Sequence, residues 1–258
     1  MYKLTKAAYV ESILSEAYLW FSHIDQLNDP FECNIEAFEY SGETYRREQS
    51  EYFRRRQMLP GRFGTSTPNH FYDHPGMGIG VNDPVLEQIQ RKMNLYGRYM
   101  GRRKRLYVLS LTETNLSPAM WAHYGDEFKG VCLKLDTGQL EHALGECSHE
   151  WKRIAVEYTL EKPSLAKDLS QDIEALVSHK HEDWSYEREV RYVLWVEDPD
   201  PREEPGLRIP IGDAVSEVHV ADDTDREVTE RILSCVGEER VKVITKSRLG
   251  WLEERAYQ

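Results

Sequence analysis

Apolar and polar positions follow two different periods along the chain, and the period predicts the type of each element. Apolar residues recur at helical spacing in residues 6–16, 165–182 and 225–235. Short runs rich in aromatic and β-branched residues predict strands at 18–21, 106–111, 130–136, 151–158, 190–196, 215–221 and 241–245. Because strands and helices mix in an irregular order, the pattern predicts an α+β fold, not a regular βαβ series.

Composition indicates a folded globular protein. The 258 residues are 40% apolar and 30% charged, which suits a single domain spanning residues 1–258 with a sizeable core. No apolar run approaches the roughly 20 residues that a membrane helix needs. Acidic residues interrupt the N-terminal apolar stretch, so we expect no export signal and a cytoplasmic location. The four cysteines form no C-x-x-C pair, and we expect reduced thiols.

Charge is distributed unevenly, and this changes the expected partners. Residues 45–105 hold 13 basic and 5 acidic side chains, whereas the whole chain carries a net charge of −12. The helical spacing of several apolar residues from Pro84 onward indicates that this basic insert is largely helical. Such a segment is suited to binding the phosphates of a nucleic acid or the acidic side chains of a partner protein. Charged helix faces are nevertheless common in proteins that have no such partner.

Two aromatic motifs offer candidate binding residues. Ser22 ends the first aromatic strand, and a turn with Asn28-Asp29-Pro30 follows it. Trp121, His123 and Tyr124 lie within four residues, and their rings and polar tips suit a flat polar ligand. A buried strand with a capped turn, and an aromatic core patch, are the alternative interpretations of these two motifs.

A third motif, residues 184–192, combines acids, arginine and aromatic rings. Strand alternation predicts that Glu187, Glu189 and Arg191 share one face. A glutamate beside a guanidinium stays ionised, and a fixed carboxylate stabilises a cationic sugar in a transition state. A solvated strand edge with a salt bridge explains the same pattern, and the sequence leaves both interpretations open.

Metal ligation is not expected. The spacings His70-x-x-x-His74 and His179-x-His181 are compatible with metal ligands, but neither pair has a second cluster or a cysteine pair near it in the sequence. We therefore predict no metal.

Several motifs together resemble an uncharacterised bacterial family, domain of unknown function 2971. They are Tyr2-Lys3, Leu19-Trp20-Phe21-Ser22, Asn28-Asp29-Pro30-Phe31-Glu32, Leu109-Ser110-Leu111-Thr112, Met120-Trp121-Ala122-His123-Tyr124, Gly130-Val131-Cys132-Leu133 and the segment from Trp184 to Arg191. They follow in order along almost the whole chain. The basic insert is the region where the resemblance is weakest.

The order of elements is also similar, more distantly, to ADP-ribosyltransferases. That resemblance implies a mixed or antiparallel split β-sheet core with flanking helices, and NAD as the substrate. It implies that Glu189 binds the nicotinamide ribose and stabilises the cationic transition state, while Glu187 activates the acceptor. The family's early histidine or arginine would fall at Tyr2 or Lys3, and lysine departs from both.

The remaining residues complete the expected site. Ser22, Trp121, His123 and Tyr124 are expected to line the nicotinamide and ribose pocket, with Arg191 keeping a glutamate ionised. A non-catalytic module that binds a small molecule or a nucleic acid, in stress or phage defence, is the alternative. A hydrolase with Glu187 and Glu189 as paired carboxylates is a third hypothesis.

Overall fold

A computed structural model describes residues 1–29, 33, 47, 50–51, 101, 103–160, 177–197, 205–247 and 251–257. The chain divides into two compact units, the first formed by Met1–Asn28, Arg105–Glu161 and Ser178–Gln258, the second by Asp29–Lys104 and Lys162–Val177. All strands and helices named below belong to the first unit. Apart from residues 47, 50–51, 101 and 103–105, the predicted basic insert lies outside the described residues, as do the turn at Pro30 and the first part of the helix predicted at 165–182.

Twelve strands are described, and ten of them form one mixed sheet. The strands are β1 (Tyr2–Thr5), β2 (Tyr18–His23), β3 (Leu106–Thr112), β4 (Val131–Leu135), β5 (Glu150–Ala155), β6 (Glu157–Thr159), β7 (His179–His181), β8 (Glu189–Trp195), β9 (Gly206–Pro210), β10 (Val215–Ala221), β11 (Val241–Lys246) and β12 (Leu252–Ala256). Within the large sheet, β10 and β11 are parallel and the other pairs are antiparallel. Strands β6 and β7 form a separate parallel pair.

The large sheet consists of two halves that meet at β3. One half has the order β12-β11-β10-β4-β1, and the other contains β9, β2, β3, β8 and β5. Strand β8 pairs with β3 along its whole length. On the opposite edge of β3, β2 pairs with Tyr107 and Val108, and β1 pairs with Thr112. Residues 109–111 of β3 therefore face a separation between β1 and β2.

Four α-helices flank the sheet in the described part of the first unit: α1 (Ala7–Glu16), α2 (Pro118–Tyr124), α3 (Thr137–Glu146) and α4 (Arg226–Val236). Apolar residues of α1, α3 and α4 join the larger core on one face of the sheet. Met120 and Trp121 of α2 join a second cluster with Leu4 and Cys132 on the other face. The α+β prediction is confirmed.

Local sequence signals explain where these helices begin. Ser117 caps α2, since its hydroxyl accepts the Met120 N–H at 3.4 Å and Pro118 follows in the first turn. Asp136 caps α3 by accepting the Gln139 N–H at 3.0 Å. Asp225 caps α4 in the same way through the Glu227 N–H at 2.7 Å. Each cap satisfies a main-chain donor that has no partner inside the helix.

The strands predicted at 18–21, 106–111, 130–136, 190–196, 215–221 and 241–245 are confirmed, as are the helices at 6–16 and 225–235. The strand predicted at 151–158 is interrupted at Val156, so that β5 joins the large sheet and β6 pairs with β7. The C-terminal end of the helix predicted at 165–182 is wrong, because His179–His181 is a strand. The hydrophobic pattern also missed α3, β9 and β12.

Among the described residues, no helix combines the length and the apolar character needed to cross a membrane.

Candidate functional site

Strand β8 carries a buried ion pair at its beginning. Arg191 donates from Nε and Nη2 to the two carboxylate oxygens of Glu189, both at 2.9 Å. The side chains are 0% and 5% exposed, because β8 lies between β3 and β5. A solvated strand edge is thereby contradicted, and the face that carries these charges lies inside the protein.

Glu187 reaches the same cluster without belonging to the strand. It ends a short 3-10 helix, Glu182–Glu187, and Arg188 then adopts a left-handed conformation with φ of 44°. The prediction that Glu187, Glu189 and Arg191 alternate on one strand is therefore wrong in its local geometry. The turn nevertheless directs Glu187 inward, where its side chain is 4% exposed.

Lys180 of β7 links the two glutamates. Its Nζ lies 2.6 Å from Oε2 of Glu187 and 3.4 Å from Oε2 of Glu189. Burial on its own lowers the pKa of Lys180, but the charge of Glu189 and the hydrogen bond and charge of Glu187 outweigh it and raise the pKa. Lys180 therefore carries a full positive charge between two carboxylates.

Two tyrosine hydroxyls complete the hydrogen bonding of the glutamates. Tyr124 of α2 donates to Oε1 of Glu187 at 2.5 Å and accepts from Nδ2 of Asn28 at 2.7 Å. Burial first, and then the hydrogen bond to Glu187, raise the pKa of Tyr124. Tyr158 of β6 accepts the main-chain N–H of Glu189 at 2.8 Å, and burial raises the pKa of Tyr158 to about 12. Both hydroxyls thus remain protonated at neutral pH.

Lys3 occupies the separation between the halves of the sheet. Its Nζ donates to the main-chain oxygen of Ser110 at 3.1 Å, on the edge of β3 that lies between the ends of β1 and β2. Burial lowers the pKa of Lys3, whereas the charge of Glu189 opposes this shift. Lys3 thus reaches from β1 toward the carboxylate at the start of β8.

Glu189 is subject to opposing influences. Burial raises the pKa of this carboxyl, and the nearby charge of Glu187 adds to the effect. Lys180 and a hydrogen bond from the Ser110 side chain act in the opposite direction. The paired N–H groups of Arg191 also favour the charged form. The net effect raises the pKa of Glu189, and the geometry fixes the orientation of its carboxyl group in a site that excludes most water.

An aromatic row leads from this cluster to the surface, formed by Trp184, Tyr186 and His123. Lys180 Nζ lies 4.9 Å from the centre of the Trp184 ring. The ring centres of Trp184 and Tyr186 are 6.1 Å apart, and those of Tyr186 and His123 are 6.0 Å apart. His123 is exposed, while Trp184 and Tyr186 are half-buried. The row offers ring faces beside buried charge, which suits a flat ligand.

The structure brings most, but not all, of the predicted site residues together. Glu187, Glu189, Arg191, Tyr124 and Lys3 meet in or beside the charged cluster. The sequence analysis missed Lys180, Ser110, Asn28, Tyr158 and the aromatic neighbours Trp184 and Tyr186 as site residues. The only signal for Lys180 was its place between two histidines, which points toward a metal site instead.

Two predicted residues lie apart from the cluster. Trp121 is fully buried in the core, and its indole N–H donates to the main-chain oxygen of Asn115 at 2.7 Å. Ser22 pairs with Val108, which places it on the same sheet face as Ser110 by strand alternation. Among the described residues, no contact joins Ser22 to the glutamates. Their contact with a ligand stays a prediction.

The described residues include no group of three or more histidine, cysteine or acidic side chains that is able to hold a metal ion. His179 instead lies 3.4 Å from Glu157, and His181 lies 3.2 Å from Asp183. Each of these histidines thus has an acidic neighbour in place of a ligand set.

Comparison with known proteins finds a match to a family model over part of the chain. No curated protein and no solved structure matches the chain, and a similarity to ADP-ribosyltransferases is not shown. Residues 120–192 contain most of the candidate site, from Tyr124 to Arg191. This segment matches the model of the family described as protein of unknown function (DUF2971), which confirms the resemblance to that family.

Proposed function

We propose that this protein cleaves NAD at the bond between nicotinamide and ribose and transfers the ADP-ribosyl group to an acceptor, as ADP-ribosyltransferases do. One observation carries the proposal: a buried, fixed carboxylate, Glu189, begins β8 next to the place where the two halves of the sheet separate. Lys3 and the main chain of Ser110 lie at that separation. An extended dinucleotide needs both an opening between strands and polar groups along it.

The chemistry requires stabilisation of positive charge on the ribose. When the bond from C1′ to the nicotinamide nitrogen breaks, the nitrogen keeps the electron pair and the ribosyl group becomes cationic. A carboxylate that is already oriented stabilises this charge without reorganising during the reaction. Arg191 and Lys180 supply that orientation for Glu189, because they hold its two oxygens with donors at 2.9 to 3.4 Å.

The cations of the cluster also suit the other end of the substrate. Lys180 and Arg191 balance the charges of Glu187 and Glu189, and the buried amino group of Lys3 lies beside them. A buried amino group favours an anionic ligand group such as a pyrophosphate, because the anion stabilises its protonated form. Lys3 is the best placed for a ligand, since within the described residues its Nζ forms one hydrogen bond, to a carbonyl oxygen, which leaves further N–H donors.

The experiment compares nicotinamide release by the wild-type chain and by Glu189→Gln. Release is followed by chromatography at millimolar NAD, and binding is followed by calorimetry. We expect Glu189→Gln to lower the rate by at least about 100-fold, the loss typical of removing one group that stabilises transition-state charge. Glu150→Gln, which changes an exposed carboxylate on the neighbouring strand β5, is the matched control and keeps the wild-type rate.

A second variant separates catalysis from folding. Glu189→Asp keeps the charge that Arg191 needs but withdraws the carboxylate by one methylene. We expect it to remain folded by circular dichroism and to lose most of the activity, because a shift of about 1 Å in a reacting group costs about 100-fold in rate. The proposal is wrong if the wild-type chain releases no nicotinamide, or if a folded Glu189→Gln releases it at the wild-type rate.

A further inference from the structure

The proposed reaction needs a group that removes a proton from the acceptor, and Glu187 is badly placed for this. Its Oε1 accepts from Tyr124 at 2.5 Å and its Oε2 accepts from Lys180 at 2.6 Å. The side chain is only 4% exposed. A base must come within hydrogen-bond reach of the proton that it takes. Both oxygens of Glu187 are already occupied, so its geometry favours a role in fixing Lys180 and Tyr124.

His123 has the properties that Glu187 lacks. It precedes Tyr124 in α2 and is exposed at the outer end of the aromatic row. Its ring stacks on Tyr186 at 6.0 Å with 30° between the ring planes. In the part of the chain that the structure describes, no side chain or main-chain group forms a hydrogen bond with this ring. Imidazole is the side chain that exchanges protons most readily near neutral pH.

We propose that His123 is the general base that accepts the acceptor's proton, and that the aromatic row seats the acceptor. This inference rests on the proposed function. The acceptor's oxygen or nitrogen uses a lone pair to form the new bond to C1′ as nicotinamide leaves with the electrons of the broken bond. The acceptor's proton passes to an imidazole nitrogen of His123 and then to solvent.

The geometry also restricts the class of acceptor. Trp184 and Tyr186 offer ring faces that are only half-buried, and they lie between the buried charges and His123. A flat group that stacks on these rings lies between Glu189's cluster and the base. The acceptor is therefore a neutral nucleophile with an O–H or N–H group, carried on a planar molecule, with water taking its place when no such molecule is bound.

The test uses competition between water and azide for the ribosyl group. Azide is an anion and has no proton to lose, so its reaction does not need a base, whereas the reaction of water does. The full chain, His123→Gln and the control His142→Gln are incubated with NAD and azide, and the azido adduct and ADP-ribose are quantified by mass spectrometry. His142 is an exposed histidine in α3, far from the cluster in sequence.

We expect His123→Gln to raise the ratio of azido adduct to hydrolysis product at least tenfold, since a positioned base contributes about 10²- to 10⁴-fold. His142→Gln behaves as the wild type. A purely structural role of His123 slows both products equally and leaves the ratio unchanged.

The results distinguish His123 from Glu187 as the general base. An unchanged ratio in His123→Gln overturns the assignment of His123, and a raised ratio in Glu187→Gln alone assigns the base to Glu187. If the wild-type chain forms neither the azido adduct nor ADP-ribose, the proposed function itself fails. A further outcome separates the two proposals: Glu189→Gln forms no product, whereas His123→Gln forms product at the normal rate and with an unchanged ratio. That outcome supports the proposed function and refutes only the role of His123.

Discussion

Replacing Lys180 by methionine tests how much the buried ion pairs of Lys180 with Glu187 and Glu189 stabilise the protein. Methionine is similar in length and unbranched, so the change removes the charge and the hydrogen bonds while keeping most of the volume. Glu187 then loses a donor at 2.6 Å, and Glu189 loses one at 3.4 Å. Both carboxylates are about 95% buried, and no solvent replaces the lost cation.

The expected loss follows from this burial. Breaking a buried ion pair by removing one partner costs about 3–5 kcal/mol, since the remaining charge is left without compensation. Arg191 still holds Glu189, so most of the cost falls on Glu187. We expect the free energy of unfolding to fall by about 3 kcal/mol for Lys180→Met, measured by urea denaturation followed by circular dichroism.

A double-mutant cycle shows whether the loss arises from the ion pair. In Lys180→Met/Glu187→Gln the uncompensated charge is gone, and we expect the double variant to be more stable than the sum of the single changes by at least about 1 kcal/mol. Lys129→Met, an exposed lysine in the turn after α2, is the control and stays within about 0.5 kcal/mol of the wild type. Single changes that add within about 0.5 kcal/mol refute the coupling.

Two further predictions concern the rest of the first unit. Burial lowers the pKa of His219, against the opposing charge of Glu254, and Nδ1 of His219 lies 2.9 Å from the Asn115 amide. Below about pH 6.5 the histidine of the unfolded chain binds a proton more readily than the buried histidine of the native protein. The free energy of unfolding therefore falls as the pH falls through this range, by at most about 1.4 kcal/mol per pH unit. His219→Gln reduces that slope in denaturant titrations at several pH values, and an unchanged slope contradicts the assignment. A Cβ atom added at Gly130 would clash with the main-chain oxygen of Thr5, so we expect Gly130→Ala to lower the melting temperature. Gly145→Ala is the control: it adds a Cβ atom in open space within α3, and we expect it to leave the melting temperature unchanged or to raise it.

Local sequence patterns accounted for most strands and helices of the first unit. Alternation and aromatic content located β2, β3, β8 and β10 to within about two residues, because each has one face in a core. The misses have physical causes. Strand β7 consists of His179, Lys180 and His181, which have no apolar alternation, and it exists because it pairs with β6.

The site was predictable only in its local part. Glu189 and Arg191 are two residues apart in a strand, so their shared face followed from the sequence. Glu187 was assigned to that face for the wrong reason, since it reaches the cluster through the 3-10 helix and the left-handed Arg188. Periodicity gives no warning of a positive φ at an arginine, because that conformation is set by the surrounding contacts.

The amino-acid sequence by itself determined most of the elements, the fold class and the acids and rings that distinguish this chain, since these depend on neighbours along the chain. Only the tertiary structure decided which of them meet. Lys180 lies seven and nine residues before Glu187 and Glu189, and Lys3 is far from them in sequence. Both lysines nevertheless lie near the carboxyl group of Glu189. Pairing between strands that are distant in sequence brings these residues together. Because they are buried there, residue types that are common on protein surfaces form a fixed, charged cluster.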